Sequence, residues 1–363
     1  MVNTMCIKRR YFYRDGLYNE IPDFSITPIN NNLSLMEFPY QIKLDSKVYS
    51  DNLKEININR YPSFDANVIK GKLCEINGVN YDENILLGNG LLELVQTILL
   101  SFSTKKTNLL IPDPSFFMFT RLANICRVDV HKIPLNDDFS LNVQAFIHAS
   151  QQYENSLIII DNPNNPTGVL FGADEIKCIV ENCKCPVVID EAYVAYSSQG
   201  SNILNLIPEY DNLIVLRSFS KIGFAGLRFG YLFSNPNLIS YINKFSLMYS
   251  LSDIKMKLVL DIINEEKIDT KNISNVKKYR DVMINKMSKL NDIVVSKSQA
   301  NFIFFSGEAD SIKLFNDKMI RNGIKVSVFP LGYSKITDDS IRFSIGNKSI
   351  NGIVLNIILD SFN

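Results

Sequence analysis

The sequence has very little histidine and no excess of either charge. Only His131 and His148 occur among 363 residues, and Lys plus Arg equal Asp plus Glu at 38 each. With so few histidines, the tight pair Cys183-Lys184-Cys185 lacks the further ligands that a zinc site needs. A balanced charge gives no electrostatic footprint for nucleic acid or an anionic membrane. Runs of eighteen or more apolar residues are missing, which argues against a membrane span. The opening MVNTMCIKRRYFYRDG is basic with no apolar stretch behind it, so no secretory signal is expected. Long charge runs are also missing, which argues against extended disorder. The cysteines, Cys6, Cys74, Cys126, Cys178, Cys183 and Cys185, are scattered and read as reduced thiols rather than a disulfide framework. A soluble, cytoplasmic chain is the expectation.

What is present is a large apolar share, 46% of residues, ample for one large or two modest domains. Residues 1–60 are irregular and read as an N-terminal arm. From there strands and helices alternate. Leu91–Phe102 reads as a buried helix, Thr107–Ile111 as a strand, and Leu157–Ile160 as a fully apolar strand. Helix Ala173–Cys183 leads to strands Val187–Ile189, Leu213–Leu216 and Gly230–Phe233. Continuous apolar strands separated by helices imply a mostly parallel sheet covered on both faces. The expected fold is α/β: a large domain over residues 61–250 with α/β/α layers, and a small α/β domain over 251–363. In the second part, helices are expected at Asp253–Glu266 and Ser274–Leu290, and strands at Ile293–Val295, Phe302–Phe305, Lys325–Phe329 and Ser340–Ile345.

Three apolar strands run into polar groups: Asn162, Asp190 and Ser218. The carboxyl ends of parallel strands line the ligand crevice. After Ser218 come Phe219-Ser220-Lys221, then Gly223 and Gly226-Leu227-Arg228. Pyridoxal phosphate needs a lysine amine, a carboxylate for its ring nitrogen, donors to its ring oxygen, a flat partner and a phosphate cradle. Lys221 would form the imine and later move protons as general acid and base. Asp190 would keep the pyridine nitrogen protonated. Tyr193 and Asn165 would donate to the ring oxygen, and Phe116 would stack on the ring. Ser218, Ser220 and Arg228 would bind phosphate, with the backbone N–H groups of Gly90, Leu91 and Leu92 at a helix N-terminus. Each has a plainer reading alone: a surface lysine, an N-cap aspartate, a turn, a core phenylalanine. Gly88-Asn89-Gly90 is neither a Walker A loop nor a dinucleotide fingerprint. The combination, each piece after a strand, favours the cofactor site.

The stretches NPNNPTG (Asn162–Gly168), DEAY (Asp190–Tyr193) and SFSKIGFAGLRFG (Ser218–Gly230) carry a family likeness. The chain resembles the class I and II aminotransferases of fold type I, within them the histidinol-phosphate aminotransferase branch, from about Tyr61 to Gly346. The resemblance implies a homodimer with sites at the subunit interface. Tyr61, in Arg-Tyr-Pro, would reach the cofactor phosphate of the second copy. Arg342, in IRFSIG, would grip the substrate α-carboxylate with two parallel hydrogen bonds. Glu37, with Pro39, matches an arm that lies over the substrate. The implied reaction moves an amino group from an amino acid to a 2-oxo acid.

The pattern also departs from that branch. Ser327, in Gly323-Ile324-Lys325-Val326-Ser327, stands where an arginine binds substrate phosphate. A neutral hydroxyl is a weaker anion ligand, and Lys325 is expected to face away, which speaks against a phosphorylated substrate. Leu91 and Leu92 replace a polar pair. A decarboxylase of the threonine-phosphate type shares these motifs and is the alternative activity; a non-catalytic homologue is disfavoured because Lys221 and Asp190 are both kept.

Overall fold

The computed structural model describes residues 31–42, 54, 56–63, 65–79, 84–104, 106–198, 203–334 and 338–362. Residues 1–30 of the expected arm, Cys6 among them, lie outside the described residues. A seven-stranded sheet organises the first part. Its strands are β2 (Ile85–Gly88), β3 (Asn108–Asp113), β4 (Asp129–Pro134), β5 (Ser156–Asp161), β6 (Val187–Asp190), β7 (Leu213–Ser218) and β8 (Gly230–Ser234), after a short β1 at Asn31–Asn32. They lie in the order β2-β8-β7-β6-β5-β3-β4. The pairs from β7 through β4 are parallel, and β8 alone runs against its two neighbours.

Side-chain alternation explains why the central strands read as unbroken apolar runs. Ile158, Ile160, Val187, Ile189 and Val215 enter one core, while Leu157, Ile159, Val188, Ile214 and Leu216 enter another on the opposite face. Helix α2 (Leu91–Phe102), following α1 (Ala66–Asn77), buries Leu94, Val95, Ile98 and Leu99, one stripe of a 3.6-residue period. It packs with α3 (Phe117–Cys126) on one face. Helices α4 (Val143–Gln152) and α5 (Ala173–Asn182) cover the other. Strands β2 and β4 had no sequence expectation; β4 is an edge strand, half polar, with a weak apolar signal.

The second part is an antiparallel sheet in the order β12-β13-β10-β9, built from β9 (Ile293–Val295), β10 (Phe302–Gly307), β12 (Ser327–Phe329) and β13 (Ser340–Ser344). The expected strand Lys325–Phe329 is two pieces. Here β11 (Ile324–Lys325) pairs with β1 in the arm, and β12 pairs with β13. The third core gathers α8 (Thr270–Met287), α9 (Ala309–Arg321) and α10 (Lys348–Leu359) around Phe305, Phe315 and Phe343. Between β8 and α8 lie α6 (Pro236–Asn243) and α7 (Asp253–Asn264). Met256, Val259, Ile262 and Ile263 of α7 pack into the first core, so by packing α7 belongs with the large sheet. Arm residue Leu33 packs into the third core. Among the described residues no helix is long and apolar enough to cross a membrane.

Candidate active site

A cavity of about 220 Å³ opens at the carboxyl ends of β5, β6 and β7. Asp190 closes β6, and Lys221 follows β7 in a short 3-10 turn that ends at Gly223. Both line the cavity, with Tyr193, Ser218, Ser220 and Arg228. Apolar walls from Leu91, Leu92, Val95, Phe116 and Phe119 complete it. Lys221 Nζ stands 5.6 Å from the Tyr193 ring centre and donates to Leu35 O at 3.2 Å.

The electrostatics follow from burial. Asp190 is 7% exposed, and desolvation pushes its carboxyl up to about 7, even though it accepts from Ala192 N at 2.9 Å. Desolvation also draws Lys221 down to about 8, aided by Arg342 and opposed by Glu37 and Asp190. Burial raises the Tyr193 hydroxyl above its usual range, which keeps it a neutral donor. A lysine held near 8 rather than 10.5 carries roughly 10²-fold or more free amine at neutral pH, and the free amine is the nucleophile. Attachment of pyridoxal phosphate to the apoprotein is therefore expected to quicken about tenfold per pH unit below 8 and to level off above it. Stopped-flow absorbance checks this; a rate still climbing steeply at pH 10 would show an ordinary lysine.

The end of the cavity where a phosphate is expected is built around α2. Gly90 caps the helix at φ +85° with no side chain to block its first turn. A Cβ on Gly90 would come 2.9 Å from Arg228 Nη2, so only glycine leaves the guanidinium over the helix N-terminus. The Gly90 N–H already donates to Gly88 O at 2.9 Å, which leaves Leu91 and Leu92 as the open backbone donors. Ser218 Oγ accepts from Ser220 N at 3.0 Å, fixing the turn that carries both hydroxyls. Lys255, not expected from sequence, donates to Arg228 O at 3.3 Å and to Asn89 Oδ1, adding a cation beside the cradle.

A second cavity of about 320 Å³ adjoins the first through Phe116 and Asn165. Arg342 on β13 lies directly across from Ser327 on β12. Its guanidinium donates to Ser327 Oγ at 2.9 Å, Ser34 O at 3.0 Å and Asn165 Oδ1. All three partners are neutral, and Nε has none among the described residues. With Asn165 Oδ1 occupied, its Nδ2 is the atom free to serve a ring oxygen. Lys325 lines this cavity with Ser327, contrary to expectation; residues two apart on a strand share a face, and the sequence reading had them apart. Phe329 and Tyr333, 4.7 Å apart, supply its aromatic wall.

Two expected residues stand apart. Glu37 is exposed and lines neither cavity, acting on Lys221 only through its charge. Tyr61 is 76% exposed and stacks on Tyr249 at 4.7 Å, away from its own chain's cavity. Five lining residues were missed. Val95 and Phe119 are apolar wall residues from α2 and α3. Met36 carries the arm over the site in a left-handed turn, φ 52°. Ala192 is the fourth. Asp161 ends β5, one residue later than the apolar run suggested, and its pattern, three isoleucines then Asp, mirrors that of Asp190.

The residues present fit pyridoxal phosphate at every part of the molecule: amine, ring nitrogen, ring oxygen, ring face and phosphate. Comparisons with known proteins agree. Residues 31–357 match the sequence profile of the family described as aminotransferase class I and II. The chain is 32% identical to a histidinol-phosphate aminotransferase of Vesicomyosocius okutanii, covering 90% of each chain. It is 29% identical to one from Caldanaerobacter subterraneus, covering 90% of this chain and 95% of the other. Its fold matches a crystal structure of the histidinol-phosphate aminotransferase from Sinorhizobium meliloti in complex with pyridoxal-5'-phosphate, with TM-score 0.81, 17% identity, and 98% and 99% of the two chains covered.

Proposed function

The chain belongs to the class I and II aminotransferases, and from that premise we propose that it takes the amino group of an α-amino acid with an aromatic or apolar side chain and delivers it to a 2-oxo acid. It is a pyridoxal-phosphate-dependent transferase. When bound, the cofactor supplies an electron-accepting ring and the carbon that carries the amino group between the two substrates. The protein's residues do the rest. Lys221 holds the cofactor through Nζ and, once displaced by substrate, takes the Cα proton. Asp190 keeps a proton on the ring nitrogen. Tyr193 Oη and Asn165 Nδ2 hold the ring oxygen, while Arg228 and the α2 N-terminus hold the phosphate.

Arg342 carries the substrate reading. It is 8% exposed and surrounded by neutral partners, so its charge is left for an incoming anion. A substrate α-carboxylate matches its fork. Beyond it the cavity offers Phe116, Phe117, Val328, Phe329 and Tyr333 to the side chain. Arg342→Ala is expected to cost about 2–5 kcal/mol in kcat/KM, roughly 30-fold to several thousand-fold, for α-amino acids. Amines without a carboxylate should lose little. Steady-state kinetics on both donor types decide; equal losses would place Arg342 elsewhere.

A second donor, histidinol phosphate, is favoured by the relatives' names and by Lys325 in the cavity wall. A donor panel of aromatic and aliphatic amino acids, glutamate and histidinol phosphate separates the two, with carbon dioxide measured in parallel. Release of carbon dioxide without a 2-oxo acid would replace transamination with decarboxylation. We also infer a homodimer in which Tyr61 reaches the cofactor phosphate of the second copy. The exposed apolar residues Ile58, Tyr61, Leu247, Met248 and Tyr249, with Tyr61 stacked on Tyr249, support it. Cys178, Cys183 and Cys185 form no disulfide among the described residues, which suits the cytoplasm.

A further inference from the structure

Two carboxylates, not one, face the end of the first cavity where the ring nitrogen would lie. Asp161 on β5 and Asp190 on β6 are cross-strand partners in register. Neighbouring parallel strands lie about 4.8 Å apart, so the two charges are close. Asp161 is 2% exposed. It is held by Ser115 Oγ and Asn164 Nδ2, each 3.0 Å from Oδ1, and by Asn165 N, 2.6 Å from Oδ2. Three donors with well-formed geometry favour the ionised carboxylate. Burial works against them and lifts its pKa to about 6, still below neutrality. No cation is among the groups acting on it. Lys221 is the cation acting on Asp190, and none acts on Asp161; a protonated pyridine nitrogen is the further cation that this cavity can place against the pair.

We propose that Asp161 is a positioning residue for the reaction, whose negative charge acts with Asp190 to hold the proton on the cofactor ring and whose Oδ2 locks the turn that aims Asn165. The second role follows from the chain of contacts. Asp161 fixes the Asn165 backbone, and Asn165 Oδ1 in turn receives Arg342. One carboxylate therefore joins the ring-nitrogen end of the first cavity to the carboxylate clamp of the second. Its charge also keeps Asp190 a stronger proton holder than burial alone would make it.

The inference rests on the cofactor reading above. The test uses the loaded wild-type protein and Asp161→Asn, which keeps shape but removes charge. The readout is the pH midpoint at which the visible band of the lysine-bound cofactor changes. An anion within the same buried cavity favours every protonated form there, so its removal is expected to lower the midpoint by about one pH unit. Ser115→Ala is the milder variant. It removes one donor, leaves less of Asp161 ionised at neutral pH and should move the midpoint the same way by less. Absence of a visible band in the wild type would sink the cofactor reading itself. A normal wild-type band with an unmoved midpoint in both variants, even if KM changes, would leave Asp161 as a turn residue only and overturn the proposal.

Discussion

Lys221→Ala is expected to lower turnover by about 10²–10⁴-fold and to abolish covalent attachment of the cofactor. The two losses have separate causes. Attachment fails because, among the described residues, no other amine lines the first cavity: Arg228 is the one further cation there, and a guanidinium does not lose its proton. Turnover fails because the Cα proton loses its acceptor. Added methylamine can restore the proton transfer without restoring the attachment, since a small amine fits the vacated space. Absorbance of the purified variant measures the first loss, and steady-state kinetics with and without methylamine measure the second. A variant that keeps both the band and the rate would assign these roles to another group.

Asp190→Asn is expected to reduce kcat by roughly 10²–10³-fold, the usual effect of losing one preorganised electrostatic partner. The same change should stabilise the apoprotein at the right pH. The Asp190 carboxyl sits at about 7 when folded against 3.8 as a free side chain, so the folded form prefers it protonated. Below pH about 4 both states are protonated and nothing is lost. As pH rises to 7 the unfolded chain releases its proton first, and folding comes to carry a cost of up to about 4 kcal/mol. Asparagine removes that cost. Denaturation of the two apoproteins should agree at pH 4 and favour the variant at pH 8. A strained, costly charge kept in the empty site is what a binding site for a cation requires. Equal stability at pH 8 would show that Asp190 is satisfied without a ligand.

The central strands of the large sheet were legible because they are buried on both faces and are apolar almost to their ends. The same property hid the last residue of β5. A run of isoleucines gives no sign of where pairing stops, so the strand was expected to end at Ile160, with Asn162 as the polar group after it. In the fold Asn162 holds the loop, accepting from Phe171 N at 2.7 Å, while Asp161 faces the cavity. Asp190, Ser218 and Lys221 were legible because each sits in a short motif at a strand end, where local sequence fixes position. The substrate side was not. Lys325 and Ser327 lie in strands of two and three residues, whose partners are respectively 293 residues back in the arm and 15 residues ahead in β13. Only that pairing decides what they face. Lys255 and Met36 reach the site from distant elements and leave no local signal.

Everything proposed for this site depends on Lys221 as the residue that holds the cofactor. Borohydride reduction of the loaded protein fixes the cofactor to whichever lysine bears it, and peptide mass mapping then names that residue. The added mass is expected on the peptide that contains Lys221 and on no other. Added mass on a different lysine, or none at all, would contradict that role.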